Sequence, residues 1–283
     1  MIAVIALTCH GLEKGFTMPD FRVGFGESKL KELLVQCRCF IDRYGKTSHQ
    51  LRLVIQVIYE YRLCHQRLNA KVPESVAAGI DELLAEFPDI HSDHIQIETN
   101  KTEYFAQCEK PFPEFAVSRH SVRDFSSEPV PLEKIKQAIA LAQCAPSACN
   151  RQSTRVIIVK DKEKIAKVFE QHGGNRGFGH TVDTLLLIAG YLPGYHGSYE
   201  RNWVYVDGGI FTMNLAYALH YHQVGAVILN WNMEKEKNRI IYNLLEIPPE
   251  LTVFVMIAVG NVPDEFRVCS SPKKQLGSII YER

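Results

Sequence analysis

Four almost unbroken apolar runs, RVIIV (155–159), TLLLIAG (184–190), AVILNW (226–231) and VFVMIAVG (253–260), set the tightest limit on what this chain can become. Each is too short for a buried helix and too uniformly apolar for a strand with one wet face. Each is therefore predicted to be a strand in a sheet covered on both sides. Segments of helical period separate them. Pro131 opens one with Leu132, Ile135, Ile139 and Ala142 on a single face; Ile165, Val168 and Phe169 mark a second; a third runs from about Gly208 to Gln223. The second half is expected to be α+β.

The first half has the helical period alone. Leu30, Leu33, Leu34, Cys37, Phe40 and Ile41 recur on one face and Gly45 stops the run. Val54, Val57, Ile58, Tyr61, Cys64 and Leu68 define a second helix; Ile80, Leu83, Leu84 and Phe87 define a third that opens at Pro73. Ahead of them, HGLEKGFTMPDFRVGFG (10–26) mixes glycines with Phe16, Phe21 and Phe25, which suits either a chain packed flat on a surface or the lining of a site. Residues 89–115, with Pro111 and Pro113 flanking Phe112, read as an extended, stiff linker. The division expected is 1–115, helical extension and linker, and 116–283, the α+β domain.

Lys plus Arg and Asp plus Glu number 32 each, so no net field draws the chain to nucleic acid or an anionic membrane. The opening MIAVIALTC is far shorter than the ~20 residues a membrane helix needs. Eight cysteines are scattered without the paired spacing of a zinc site, as expected of reduced thiols in a cytoplasmic protein. His220 and His222 project roughly 200° apart on a helix and cannot share an ion unless the helix has ended between them. No metal is expected.

Chemistry concentrates in a few stretches. SRHSVRDF (118–125) crowds Arg119, Ser121 and Arg123, which implies either a phosphate between the guanidiniums or a bridge to Asp124 or Glu128. SSPKKQLGSI (270–279) adds Lys273 and Lys274. HGGNRGFGH (172–180) precedes a strand, whereas a dinucleotide fingerprint follows one, and no phosphate-loop motif occurs. APSACNRQ (145–152) is a polar turn between a helix and a strand, suited to hydrogen bonding around a ligand, and Cys149 has no neighbour that would activate it. No residue is expected to act as a catalytic acid, base or nucleophile.

Taken in order, SRHSVRDF, APSACNRQ, Asn175 ahead of TLLLIAG, DGGIFTMNLAYALHYHQVGAV (207–227), IAVGNVPDE (257–265) and SPKKQL resemble the FMN-dependent nitroreductase family over about 116–283. The N-terminal region resembles an extension found in a subgroup associated with polysaccharide gene clusters. The resemblance implies a mixed sheet flanked by helices, and a homodimer with FMN at the interface. It implies NAD(P)H as co-substrate and ping-pong transfer to a small oxidant such as a nitro compound or quinone. An FMN-dependent dehydrogenase or oxidase that does not use NAD(P)H, or a non-catalytic flavin-binding module, are the alternatives. By position, Arg119, His120, Ser121, Lys273 and Lys274 would hold the phosphate and ribityl chain. Arg123 and Asn175 would meet the pyrimidine edge, Pro146, Ser147 and Asn150 would wall the ring, and the backbone at Gly208 and Gly209 would approach N5.

Overall fold

The computed structural model describes residues 2–91 and 96–283. It divides into two compact units, Met1–Glu98 with Arg267–Arg283, and Thr99–Phe266.

The first unit is built on four helices: α1 (Ile2–Gly15), α2 (Glu27–Tyr44), α3 (His49–Arg67) and α4 (Glu74–Ala85). The stripe expected on α2 is its buried face, Leu30, Leu33, Cys37 and Phe40. Gly45, at φ 76°, ends the helix by donating its N–H to the Ile41 carbonyl at 2.8 Å. Ser48 starts α3 by accepting the Leu51 N–H, and Pro73 with Glu74 starts α4. The glycine and phenylalanine stretch packs into this unit's own core. Phe16 is fully buried, edge-on to Phe25 at 5.1 Å and to Tyr61 at 6.4 Å. A ring buried this way contributes about 2–3 kcal/mol. Gly15 permits the packing, because a β-carbon there would overlap the Phe25 ring.

The second unit opens with α5 (Lys101–Phe105) and α6 (Phe112–Ser118). Here the linker reading is corrected: outside residues 92–95, which lie beyond the described residues, the stretch folds into elements. Pro111 caps α6 and Pro113 occupies its first turn, where the missing N–H has no intrahelical partner to lose. After α7 (Leu132–Ala142) come β2 (Thr154–Val159), α8 (Lys162–Gln171), β3 (Thr184–Tyr191), α9 (Trp203–Tyr221), β4 (Gly225–Asn230), α10 (Lys235–Leu244) and β5 (Leu251–Gly260). The four strands order as β2-β3-β5-β4. Neighbouring strands pair antiparallel throughout, in place of the mixed directions expected. The reason is topological. β3 and β4 run the same way across the α9 crossover, but β5 inserts between them and opposes both. α7 and α9 cover one face, with Phe211, Leu215 and Leu219 against Leu186, Ile188 and Ile257. α8 packs on the other. β3, covered on both sides, is buried from Thr184 to Gly190.

β1 (Gln96–Asn100) pairs with β6 (Glu265–Cys269) in a separate two-stranded sheet. No helix among the described residues is long and apolar enough to cross a membrane. No cluster of His, Cys, Asp or Glu among them could hold a metal. None of the eight cysteines is in a disulfide; Cys9, Cys37, Cys64, Cys108 and Cys269 are buried, and burial pushes the Cys37 thiol up to about 12.

Candidate functional site

The turn 145–152 is held in an uncommon shape. Cys149, Asn150 and Gln152 all have positive φ, at 52°, 54° and 50°. Left-handed backbone at a non-glycine residue costs about 1 kcal/mol or more and persists only where the surroundings impose it. The surroundings here are identifiable. Asp207, 2% exposed on α9, accepts the Ala148 N–H at 3.0 Å through Oδ1 and the Tyr195 hydroxyl at 3.0 Å through Oδ2. The Ser147 hydroxyl accepts the Gln152 N–H at 3.0 Å. Arg151 makes two bonds of 2.8 Å to Glu200 and lies over the Tyr195 ring at 5.2 Å. The Arg151 guanidinium first, and the His196 N–H second, hold the Glu200 carboxyl down to about 2, so this clamp is charged at any physiological pH.

The clamped turn borders a cavity of about 600 Å³. Pro146, Ser147 and Gln152 form one side, Lys136 and Arg155 supply cations, and Phe211 supplies an apolar wall. The volume suits a small organic molecule, and the lining offers amide, hydroxyl and cationic partners around an apolar body. Asn150 stands exposed on the same turn.

Gly208 and Gly209 follow Asp207 on α9 and differ. A β-carbon at Gly208 would overlap the Phe254 ring, so this glycine is explained by packing inside the unit. One at Gly209 would meet nothing within 4 Å. Only Gly209 leaves backbone open to an approaching group.

Arg119, His120, Ser121 and Arg123 lie on the extended segment after α6. Val122 donates to the Ala226 carbonyl at 3.0 Å and Ser126 to the Asn261 carbonyl at 2.8 Å, so the segment runs beside β4 and reaches the end of β5. The Phe125 ring lies where a β-carbon at Gly260 would fall. Tyr104 holds His120 at both backbone groups, donating its hydroxyl to the carbonyl at 2.8 Å and accepting the N–H at 3.3 Å. Burial pushes the Tyr104 phenol upward, so it stays protonated. Arg119 and Ser121 are half-buried and Arg123 is 6% exposed. A guanidinium that deep requires compensating partners.

Asn175 ends a 3₁₀ turn, Gly173–Asn175. With its amide nitrogen turned inward it donates to the Phe169 carbonyl at 3.2 Å and to the His172 carbonyl, so its side chain braces its own loop. Lys273 and Lys274 are exposed residues of the first unit. Thus Pro146, Ser147, Asn150 and the two glycines gather around Asp207. The arginine segment and Asn175 occupy places of their own. Asp207, Arg151, Glu200, Lys136 and Arg155 were not singled out in the sequence. The one available signal was an aspartate inside the apolar run WVYVDGGIF, and Arg151 and Glu200 are too far apart in the chain for a motif to join them.

Comparison with known proteins adds the following. Residues 116–173 match the Nitroreductase family. A protein of Archaeoglobus fulgidus named as an NADH dehydrogenase/NAD(P)H nitroreductase is 28% identical over 149 residues, covering 52% of this chain and 83% of that protein. The FMN reductase [NAD(P)H] of Bacillus subtilis is 38% identical over 71 residues, 25% of this chain and 28% of that one. A protein from Desulfovibrio desulfuricans described as a nitroreductase, solved in complex with FMN, superposes with a TM-score of 0.52 at 20% identity, covering 62% of this chain and 98% of that one.

Proposed function

We propose, from the match of residues 116–173 to the Nitroreductase family, that the protein is an FMN-dependent oxidoreductase drawing on NAD(P)H. The observation that carries the reading is the strained turn 145–152, clamped by Asp207 and Arg151 against a cavity of about 600 Å³. Backbone strain of this kind, imposed by buried partners, belongs to sites that bind.

The residues present fit a phosphorylated flavin. Arg119 and Ser121 offer charge and a hydroxyl to the phosphate and ribityl chain, with His120 fixed between them by Tyr104. Arg123 supplies positive charge in a nearly buried setting, where it acts more strongly than in water on a ligand that becomes anionic on reduction. Pro146, Ser147 and Asn150 wall the ring. Gly209 provides the close approach, and Asn175 keeps its amide near a loop it already braces. Lys273 and Lys274 keep a phosphate role on the resemblance alone.

When bound, FMN supplies hydride acceptance from NAD(P)H and electron delivery to a small oxidant, such as a nitro compound or quinone, in two separate half-reactions. The chain's residues bind, orient and neutralise charge. None is required to move a proton. A homodimer is supported by the apolar side chains that α9 leaves exposed: Trp203 at 45%, Tyr205 at 53%, Val206 at 44% and Ile210 at 41%.

The test is the visible spectrum of the purified protein, followed by anaerobic addition of NADPH and then NADH. A flavin band that bleaches supports the reading. A band that persists shifts it to flavin chemistry without NAD(P)H or to a flavin-binding module, and no band after adding FMN removes it.

A further inference from the structure

His220 sits on α9 at 1% exposure, surrounded by the rings of Tyr104, Phe105 and Phe115 at 5.1, 5.6 and 5.6 Å. Its Nε2 lies 2.9 Å from the Ser118 hydroxyl, and that hydroxyl also lies 2.9 Å from the Phe115 carbonyl. A hydroxyl has one proton and the carbonyl can only accept, so both contacts are satisfied together only if the ring donates from Nε2. Nδ1 is then a bare acceptor. It is buried and has no hydrogen-bond partner among the described residues. The Arg119 Nε–H, which can only donate, is in the same condition.

Both side chains line one cavity of about 10 Å³, whose other walls include Ala216, Val224, Ala226 and Ile228. That volume suits about one water molecule, and a water offers the donor and the acceptor the two orphans lack. A small anion does not fit, because the Nδ1 lone pair would face it. We propose that a buried water bridges Arg119 Nε to His220 Nδ1, and that His220 is through it a positioning residue for the Arg119 guanidinium.

The consequence is directional. With Nε tied inward, the terminal nitrogens of Arg119 keep a fixed bearing instead of sampling rotamers. A guanidinium so fixed loses less freedom when it takes a phosphate. The inference rests on the reading of Arg119 as a phosphate residue.

The experiment titrates the full apo-chain with FMN and with riboflavin, which lacks the phosphate. The variants are Arg119→Ala, His220→Gln, which keeps a donor for Ser118 but no acceptor at the Nδ1 position, and His220→Asn, which keeps an acceptor there. Arg119→Ala and His220→Gln are expected to weaken FMN binding, by roughly five- to tenfold for His220→Gln, with riboflavin unchanged and His220→Asn closer to the unsubstituted protein. A general structural defect would move riboflavin equally and would overturn the positioning role. Loss of FMN affinity in Arg119→Ala with none in His220→Gln would overturn it too and leave the phosphate reading standing. Unchanged FMN affinity in Arg119→Ala would remove the phosphate reading itself and the positioning role with it. The water is read separately, from a high-resolution crystal structure of the apo-chain, and a dry cavity there refutes the bridge.

Discussion

Lowering the pH from 7 to 5 is expected to destabilise the second unit by about 2 kcal/mol through His220 alone. Burial first, then the charges of Arg119 and His120, lower this imidazole from 6.5 to about 4. An unfolded chain therefore takes up a proton at a pH where the folded one still refuses it. Stability is whole above 6.5, is lost progressively as pH falls, and levels off below about 4. At about 1.4 kcal/mol per pH unit the full loss is about 3 kcal/mol. Urea unfolding followed by tryptophan fluorescence measures it, because the chain's 2 tryptophans, Trp203 and Trp231, both lie in Thr99–Phe266. His220→Gln is the control, since it removes the titration and keeps a donor for Ser118. His222 is also held low, by burial first and then Lys134, but it is present in both proteins and cancels. The unsubstituted chain should lose about 2 kcal/mol more than the variant between pH 7 and pH 5. Parallel losses in the two proteins would refute the argument.

Other perturbations test other parts. Asp207→Ala leaves the Ala148 N–H and the Tyr195 hydroxyl without their acceptor, and should cost the second unit about 2–3 kcal/mol in the same urea assay; a loss below about 0.5 kcal/mol would mean the turn holds itself. Gly208→Ala should destabilise by about 1–3 kcal/mol through the Phe254 overlap. Gly209→Ala should instead leave the fold intact or up to about 1 kcal/mol more stable while lowering flavin content, and equal flavin content in the purified variant counts against its role. Arg119→Ala combined with Lys273→Ala should strip FMN without unfolding the chain, read by absorbance and circular dichroism. Light scattering should give twice the chain mass; a flavin-loaded monomer would contradict the dimer.

What the residues disclosed in advance follows from how local the responsible interactions are. The stop of α2 at Gly45 and the burial of β3 on both faces each depend on a few consecutive side chains, and both were readable. Pro111 and Pro113 misled because proline's fixed φ serves an extended segment and a first helical turn equally well; only the residues that follow decide. Gly208 looked like a place for ligand approach, but its neighbour Phe254 comes from a strand far along the chain. Strand direction was out of reach for a similar reason, since nothing in the β5 run announces that it inserts between β3 and β4. The 145–152 turn was legible as a polar stretch of consequence. Its clamp was not, because Asp207, Tyr195 and Glu200 converge on it only through the fold.

The position of β5 bears on synthesis. It is the inner strand between β3 and β4, yet it follows both in the chain. While a ribosome is still making residues 231–250, β3 has β2 as its only possible partner in the sheet and β4 has none, so two rows of backbone donors and acceptors stand open beside very apolar side chains. At about 5–20 residues per second that interval lasts on the order of seconds, long enough for a nascent chain to meet its neighbour on the same message. Slow translation of this stretch should favour misassembly, and a holding chaperone should be needed most between the emergence of β4 and that of β5.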